Sequence, residues 1–111
     1  MARAYVPDRG DVVWLEFSPQ AGHEQAGHRP AFIVSPRIYN EKVGLALVCP
    51  ITSQVKGYPF EVPTGGRKIQ GVILTDQVKS LDWHVRRAKF IEKAPTSVVH
   101  EVIARIRTLV M

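Results

Sequence analysis

Between Gly22 and Pro30 the chain reads Gly-His-Glu-Gln-Ala-Gly-His-Arg-Pro. His23, Glu24, Gln25, His28 and Arg29 thus bring two imidazoles, a carboxylate, an amide and a guanidinium into a short polar stretch between two apolar runs. A connection that only turned the chain would need fewer residues and fewer functional groups. Imidazoles and carboxylates move protons near neutral pH. A guanidinium does not, because it stays protonated, but its planar fork grips two phosphate oxygens at once. The chemistry on offer is therefore proton transfer beside a bound anion. Metal chemistry fits poorly, since His23, His28 and the distant Cys49 match no common ligand spacing. Cys49 sits in an apolar run, where burial raises a thiol's pKa and makes it a poor nucleophile.

The elements that must aim this stretch are mostly strands. Tyr5 to Asp11 is an opening turn punctuated by Pro7 and Gly10. Alternation over 12–17 predicts a strand with one wetter face, and the continuous apolar run 31–34 predicts a strand buried on both faces. A turn of helix is expected within 37–44, and further strands over 45–51, 60–62, 71–75, 79–83 and 88–92, with a polar loop at 53–57 and a turn at Asp76-Gln77. Val99, Val102, Ile103, Ile106, Leu109 and Val110 then recur at helical spacing. Pro95 stands near the first helical position, and Thr96 or Ser97 is able to cap. The fold class expected is mainly β: a small, strongly curved antiparallel barrel with a C-terminal α-helix whose apolar stripe is core or dimer surface.

The register carries a spatial inference. If 31–36 and 45–51 pair through the 37–44 connection, opposed residue numbers sum to about 81, and opposed Cβ atoms lie about 5 Å apart. Arg29 then falls opposite Thr52. Pro30 holds Arg29 extended, although a proline is also tolerated as the first residue of a strand.

Composition bounds the rest. The 111 residues fit one domain, 1–111, small enough that dimerisation would help its core, and 45% hydrophobic content argues for a folded chain. Fifteen Lys and Arg against ten Asp and Glu give +5, with a pI near 9.7, which makes a polyanion such as nucleic acid a plausible partner. One cysteine permits no internal disulfide framework. Arg3, Asp8, Arg9, Asp11 and Glu16 leave no room for a signal-peptide core, and no apolar run approaches a membrane span. A cytoplasmic protein is expected.

Arg9-Gly-Asp11, Gly27-His-Arg-Pro30, Pro50-Ile-Thr52 and Gly71-Val-Ile-Leu-Thr-Asp-Gln77, in that order, resemble the MazF family of toxin endoribonucleases from bacterial toxin–antitoxin modules. The likeness runs from about Tyr5 to the C-terminus, and Lys56-Gly-Tyr-Pro-Phe-Glu61 looks like the enterobacterial branch. The resemblance implies an SH3-like barrel that forms a homodimer and cuts single-stranded mRNA at a short motif, with no metal or other cofactor. ACA-type sites are the branch expectation. It also implies a cognate antitoxin that blocks the RNA groove, for which an acidic extended tail suits the basic charge. The family's catalytic arginine and threonine match Arg29 and Thr52; Glu24 and His28 match loop positions tied to activity or RNA contact.

Metal-free cleavage uses the RNA 2′-hydroxyl as nucleophile and leaves a 2′,3′-cyclic phosphate and a 5′-hydroxyl. Arg29 suits stabilisation of the doubly negative phosphorus centre, and Thr52 can donate a hydrogen bond to it. The proton acceptor is open between His28 or His23, Glu24, and no dedicated base; Glu24 is preferred because Arg29 can hold a carboxylate charged and oriented. Lys56 and Tyr58 offer a phosphate contact and a stacking platform. Gln77 and Lys79 can read base edges, and Arg86-Arg87 can add to the basic footprint. Two other readings compete: a non-enzymatic toxin of the same fold that binds a protein such as gyrase, and a basic module that binds RNA without cutting it.

Overall fold

The computed structural model describes residues 4–16 and 28–111. Among these, the chain forms β1 (Asp11–Glu16), β2 (His28–Ile33), α1 (Arg37–Val43), β3 (Ala46–Thr52), β4 (Glu61–Pro63), β5 (Val72–Leu74), a 3-10 turn (Thr75–Gln77), β6 (Lys79–Leu81), β7 (Lys89–Lys93) and α2 (Thr96–Val110). Each expected element is present, with shifted ends. The largest shift is in β2, which begins at His28 because Glu16, Leu15 and Trp14 of β1 pair with His28, Arg29 and Pro30. Arg29 therefore stands within a strand, not at the end of a loop.

The apolar patterning resolves into two buried faces. Val12, Phe32, Val34, Cys49 and Ile51 join Val62, Ile73, Ala94 and Val102, and Val98, Val99, Ile103 and Ile106 of α2 pack against them. On the opposite face, Val13, Leu15, Ala31, Ile33, Ala46 and Val48 close against Tyr5, Leu81, Trp83 and Ala88. Consecutive residues of β2 alternate between these clusters, as a strand covered on both sides must. One detail of α2, its capping, differs from expectation. Pro95 itself takes the N-cap and accepts the Val98 and Val99 N–H groups at 3.0 and 3.1 Å, and neither Thr96 nor Ser97 caps. Leu109 and Val110 leave the packed stripe and lie 49% and 73% exposed.

The strand order is β4-β5-β3-β2-β1-β7, with β6 also on β3. A strongly curved barrel was expected; among the described residues the antiparallel sheet and C-terminal helix are present, and the sheet does not close into a barrel, its path ending at β4 and β7. The reason lies at those ends. β4 is three residues long and stops at Pro63, which has no N–H to offer a further strand. The end strand β7 meets the β4–β5 connection through a side chain instead: the Glu92 carboxylate accepts the N–H groups of Arg67, Lys68 and Ile69.

What positions the site is the β2–β3 register. Ala31 faces Pro50, Phe32 faces Cys49 and Ile33 faces Val48, the register expected from the length of the connection. Asn40, fully buried, fixes that connection: its Nδ2 donates to Pro7 and Ser35 carbonyls at 2.8 and 3.0 Å, and its Oδ1 accepts from Ser35 Oγ at 2.5 Å. Gly44 closes α1 at φ 83°, the left-handed region that glycine enters without strain. The other edge of β3 is shared. Ala46–Val48 pair with β6, and beyond Pro50, Ile51 and Thr52 pair with β5.

Candidate active site

Carrying the observed register two residues further sets Arg29 opposite Thr52. Both line one groove of about 400 Å³, together with His28, Pro30, Ile51, Ser53, Lys68, Ile69 and Gln70. Thr52 also lines a second, smaller groove of about 140 Å³ with Gln54, Lys56, Tyr58, Glu61, Leu74 and Gln77. It is the residue where the two grooves meet.

Local hydrogen bonds orient the groups. The Gln54 N–H donates to Thr52 Oγ1 at 3.1 Å, a short Thr turn that occupies an oxygen lone pair and leaves the hydroxyl proton directed elsewhere. Gly71 lets β5 lie against Thr52: its φ is +130°, and a Cβ there would sit 2.3 Å from the Thr52 carbonyl oxygen. Gly71→Ala should therefore cost about 1–3 kcal/mol of stability in urea denaturation, and cut activity further by displacing the backbone that carries the Thr52 hydroxyl.

The second groove is pinned from three sides. Glu61 accepts the Lys56 and Gly57 N–H groups at 3.0 and 2.8 Å, Arg105 of α2 donates to the Pro59 carbonyl, and Tyr58 Oη donates to Asp76 Oδ1 at 3.0 Å. Desolvation and the Asp76 carboxylate push the Tyr58 phenol above its ordinary pKa.

His28 Nε2 lies 3.5 Å from Glu16 Oε2, its cross-strand partner, and its ring is 6.5 Å from that of Trp14. Glu16 is also 4.0 Å from Arg87 Nε. Arg86 braces the same strand, donating from its guanidinium to the Glu16 carbonyl at 3.1 Å. Cys49 is buried, and burial followed by the Asp76 charge pushes its thiol up to about 12, in keeping with a core residue.

Of the expected site residues, Arg29, Thr52 and His28 meet in the first groove, and Lys56, Tyr58 and Gln77 meet in the second beside Thr52. Lys79 is exposed on β6 opposite Val48 and is not among the residues lining either groove. Glu24 and His23 lie outside the described residues. Among the described residues, no three His, Cys, Asp or Glu side chains form a metal-binding group, and no helix is long and apolar enough to cross a membrane.

Lys68, Gln70 and the anchor Glu92 were missed from sequence. The two glycines followed by Arg67-Lys68 mark a basic loop tip, a signal that points to an anion but not to this groove. Desolvation opposes ionisation of Glu92, yet the three backbone N–H groups and the Lys68 charge outweigh it and hold the carboxyl below the ordinary 4.5. For a lowered pKa, the anchor is fully formed above the ordinary carboxylate range and lost as pH falls through the depressed value. Hydrogen-exchange protection of the Arg67, Lys68 and Ile69 amides should accordingly hold from pH 7 down to about 4.5 and collapse below it.

With the site's geometry in view, comparison with known proteins identifies its class. Residues 8–110 match PemK-like, MazF-like toxins of type II toxin–antitoxin systems, and the chain belongs to that family. It is 54% identical over 88 residues to the endoribonuclease toxin MazF of Escherichia coli (strain K12), a match covering 79% of each chain. The crystal structure of MazF (Form-I) from Deinococcus radiodurans is similar at TM-score 0.85 and 50% identity, covering 96% of this chain and 98% of that one. The MazE–MazF complex (Form-II) from the same organism gives 0.86 at 44% identity, with coverage of 96% and 97%.

Proposed function

We propose that this chain is a sequence-specific, metal-independent endoribonuclease, the toxin of a type II toxin–antitoxin system, acting on single-stranded mRNA. The observation that carries the reading is that Arg29 of β2 and Thr52 of β3 line one groove, just past the last paired residues of those two strands. The relatives named endoribonuclease support it.

In the reaction the RNA 2′-oxygen bonds to phosphorus as the P–O5′ bond breaks. The 2′-hydroxyl loses its proton, the departing 5′-oxygen gains one, and the products are a 2′,3′-cyclic phosphate and a 5′-hydroxyl. Arg29 grips the non-bridging oxygens where charge accumulates, and Thr52 donates its hydroxyl to the same phosphate. Glu24 takes the 2′-proton. Its carboxylate is the base if single-turnover rates rise through about pH 4–5 in the wild type and Glu24→Ala removes that inflection; an inflection that survives the substitution overturns the assignment.

Lys56 meets the backbone of the bound strand and Tyr58 stacks a base. His28 in the first groove and Gln77 in the second complete the contacts there, and Lys79, on β6 outside both grooves, would meet a flanking part of the strand. The motif is short and ACA-type, by the likeness of residues 56–61 to the enterobacterial branch. The chain acts as one toxin domain over 1–111, in the cytoplasm, as a homodimer; the exposed apolar end of α2 at Leu109, Val110 and Met111 supports self-association. A cognate antitoxin inhibits by laying an acidic extended tail along the basic groove, a reading supported by the MazE–MazF complexes of the relatives.

Incubating the pure protein with a long transcript in EDTA tests the function. Cutting at a few sites is expected. RNA bound but intact would make the protein a binding module, and neither binding nor cutting would point to a protein-targeting toxin.

A further inference from the structure

The 66–70 loop lines the Arg29 groove through Lys68, Ile69 and Gln70. This loop is held by specific bonds. Glu92, on β7, accepts the Arg67 N–H at 3.1 Å on Oε1, the Lys68 N–H at 3.1 Å on Oε2, and the Ile69 N–H at 3.1 Å on Oε2. Thr64 Oγ1 donates to the Ile69 carbonyl at 2.8 Å, and the Ile69 side chain packs on the core. Gly66 makes room for the carboxylate, since a Cβ there would fall 2.3 Å from Glu92 Oε2. A carboxylate that takes three consecutive backbone N–H groups fixes the backbone of the residue between them, and here that residue is Lys68.

Resting on the reading of this groove as an RNA site, we infer that Glu92 is a positioning residue for substrate binding. It holds the 66–70 loop so that the Lys68 ammonium meets a phosphate flanking the one gripped by Arg29. The Glu92 carboxylate adds negative charge near a polyanion, so electrostatics alone predicts that removing it tightens RNA binding. Positioning predicts the opposite sign.

The test is steady-state cleavage of a fluorogenic single-stranded RNA whose cut site has first been mapped with the wild-type protein. Lys68→Ala should raise KM about two- to fivefold, the worth of one solvent-exposed ion pair, and reduce the salt slope of binding by about 0.7. Turnover at saturating RNA should move far less. Glu92→Ala should raise KM by a similar factor despite the lost negative charge, and combining it with Lys68→Ala should add little. Gly66→Ala, which keeps the Glu92 charge but displaces the carboxylate, should reproduce the rise if the Glu92 variant folds poorly. A KM that falls or stays level in both the Glu92 and Gly66 variants overturns the inference, as does full additivity with Lys68→Ala. Wild-type protein that cuts no RNA overturns the functional reading itself, and the inference with it.

Discussion

Arg29→Ala should lower turnover about a hundredfold to a thousandfold, the usual consequence of losing one donor aimed at developing charge in the transition state. RNA affinity should change much less. In the proposed site, ground-state binding would be spread over several cations, among them Lys56, which lines the second groove, and Lys68, which lines the first, so one charge would be a modest fraction of the electrostatic total. The crowded phosphorane gathers extra charge on the oxygens that Arg29 is proposed to grip. Its contribution therefore grows as the reaction proceeds, which is the condition for catalysis rather than tight binding. Arg29→Lys should recover only part of the loss, because an ammonium restores the charge but not the two-pronged geometry. Rapid-quench kinetics at saturating RNA, set beside equilibrium binding, separates these effects. An alanine variant with near-normal turnover would remove Arg29 from the mechanism.

Replacing the single 2′-hydroxyl at the cleavage position with hydrogen should abolish cutting while leaving binding nearly intact. The nucleophile in the proposed reaction belongs to the substrate, so no rearrangement of Arg29, Thr52 or Glu24 can substitute for it. The deoxy strand keeps the phosphates and bases that the two grooves would contact. It should act as a competitive inhibitor with a Ki close to the KM of the all-ribose strand, apart from any contact to the missing hydroxyl. Cleavage of the deoxy strand at a comparable rate would require an external nucleophile and a different mechanism.

The β2–β3 register was legible in the sequence because two apolar runs flank a connection too short to allow alternatives. That register carries Arg29 toward Thr52. The start of β2 at His28 was not legible, since it depends on pairing with Glu16 across residues whose polarity reads as loop. A barrel was expected from the run of short strands and from the family resemblance. Pro63 and the Glu92 side-chain bridge at the sheet ends gave no periodic signal against it. Lys68 was invisible as a groove residue for the same physical reason: its place depends on Glu92, 24 positions away. The second groove was easier, because Thr52, Gln54, Lys56, Tyr58 and Glu61 are close in sequence and Leu74 and Gln77 arrive together from one later segment.

In the proposed mechanism the Arg29/Thr52 groove assists attack by the RNA's own 2′-hydroxyl. The most direct measurement is the chemical identity of the new termini when a single-stranded transcript is cut in excess EDTA, read by mass spectrometry. Fragments ending in 2′,3′-cyclic phosphate are expected, each followed by a fragment beginning with a 5′-hydroxyl. Fragments carrying a 5′-phosphate and a free 3′-hydroxyl, or activity that disappears with the chelator, would contradict this mechanism.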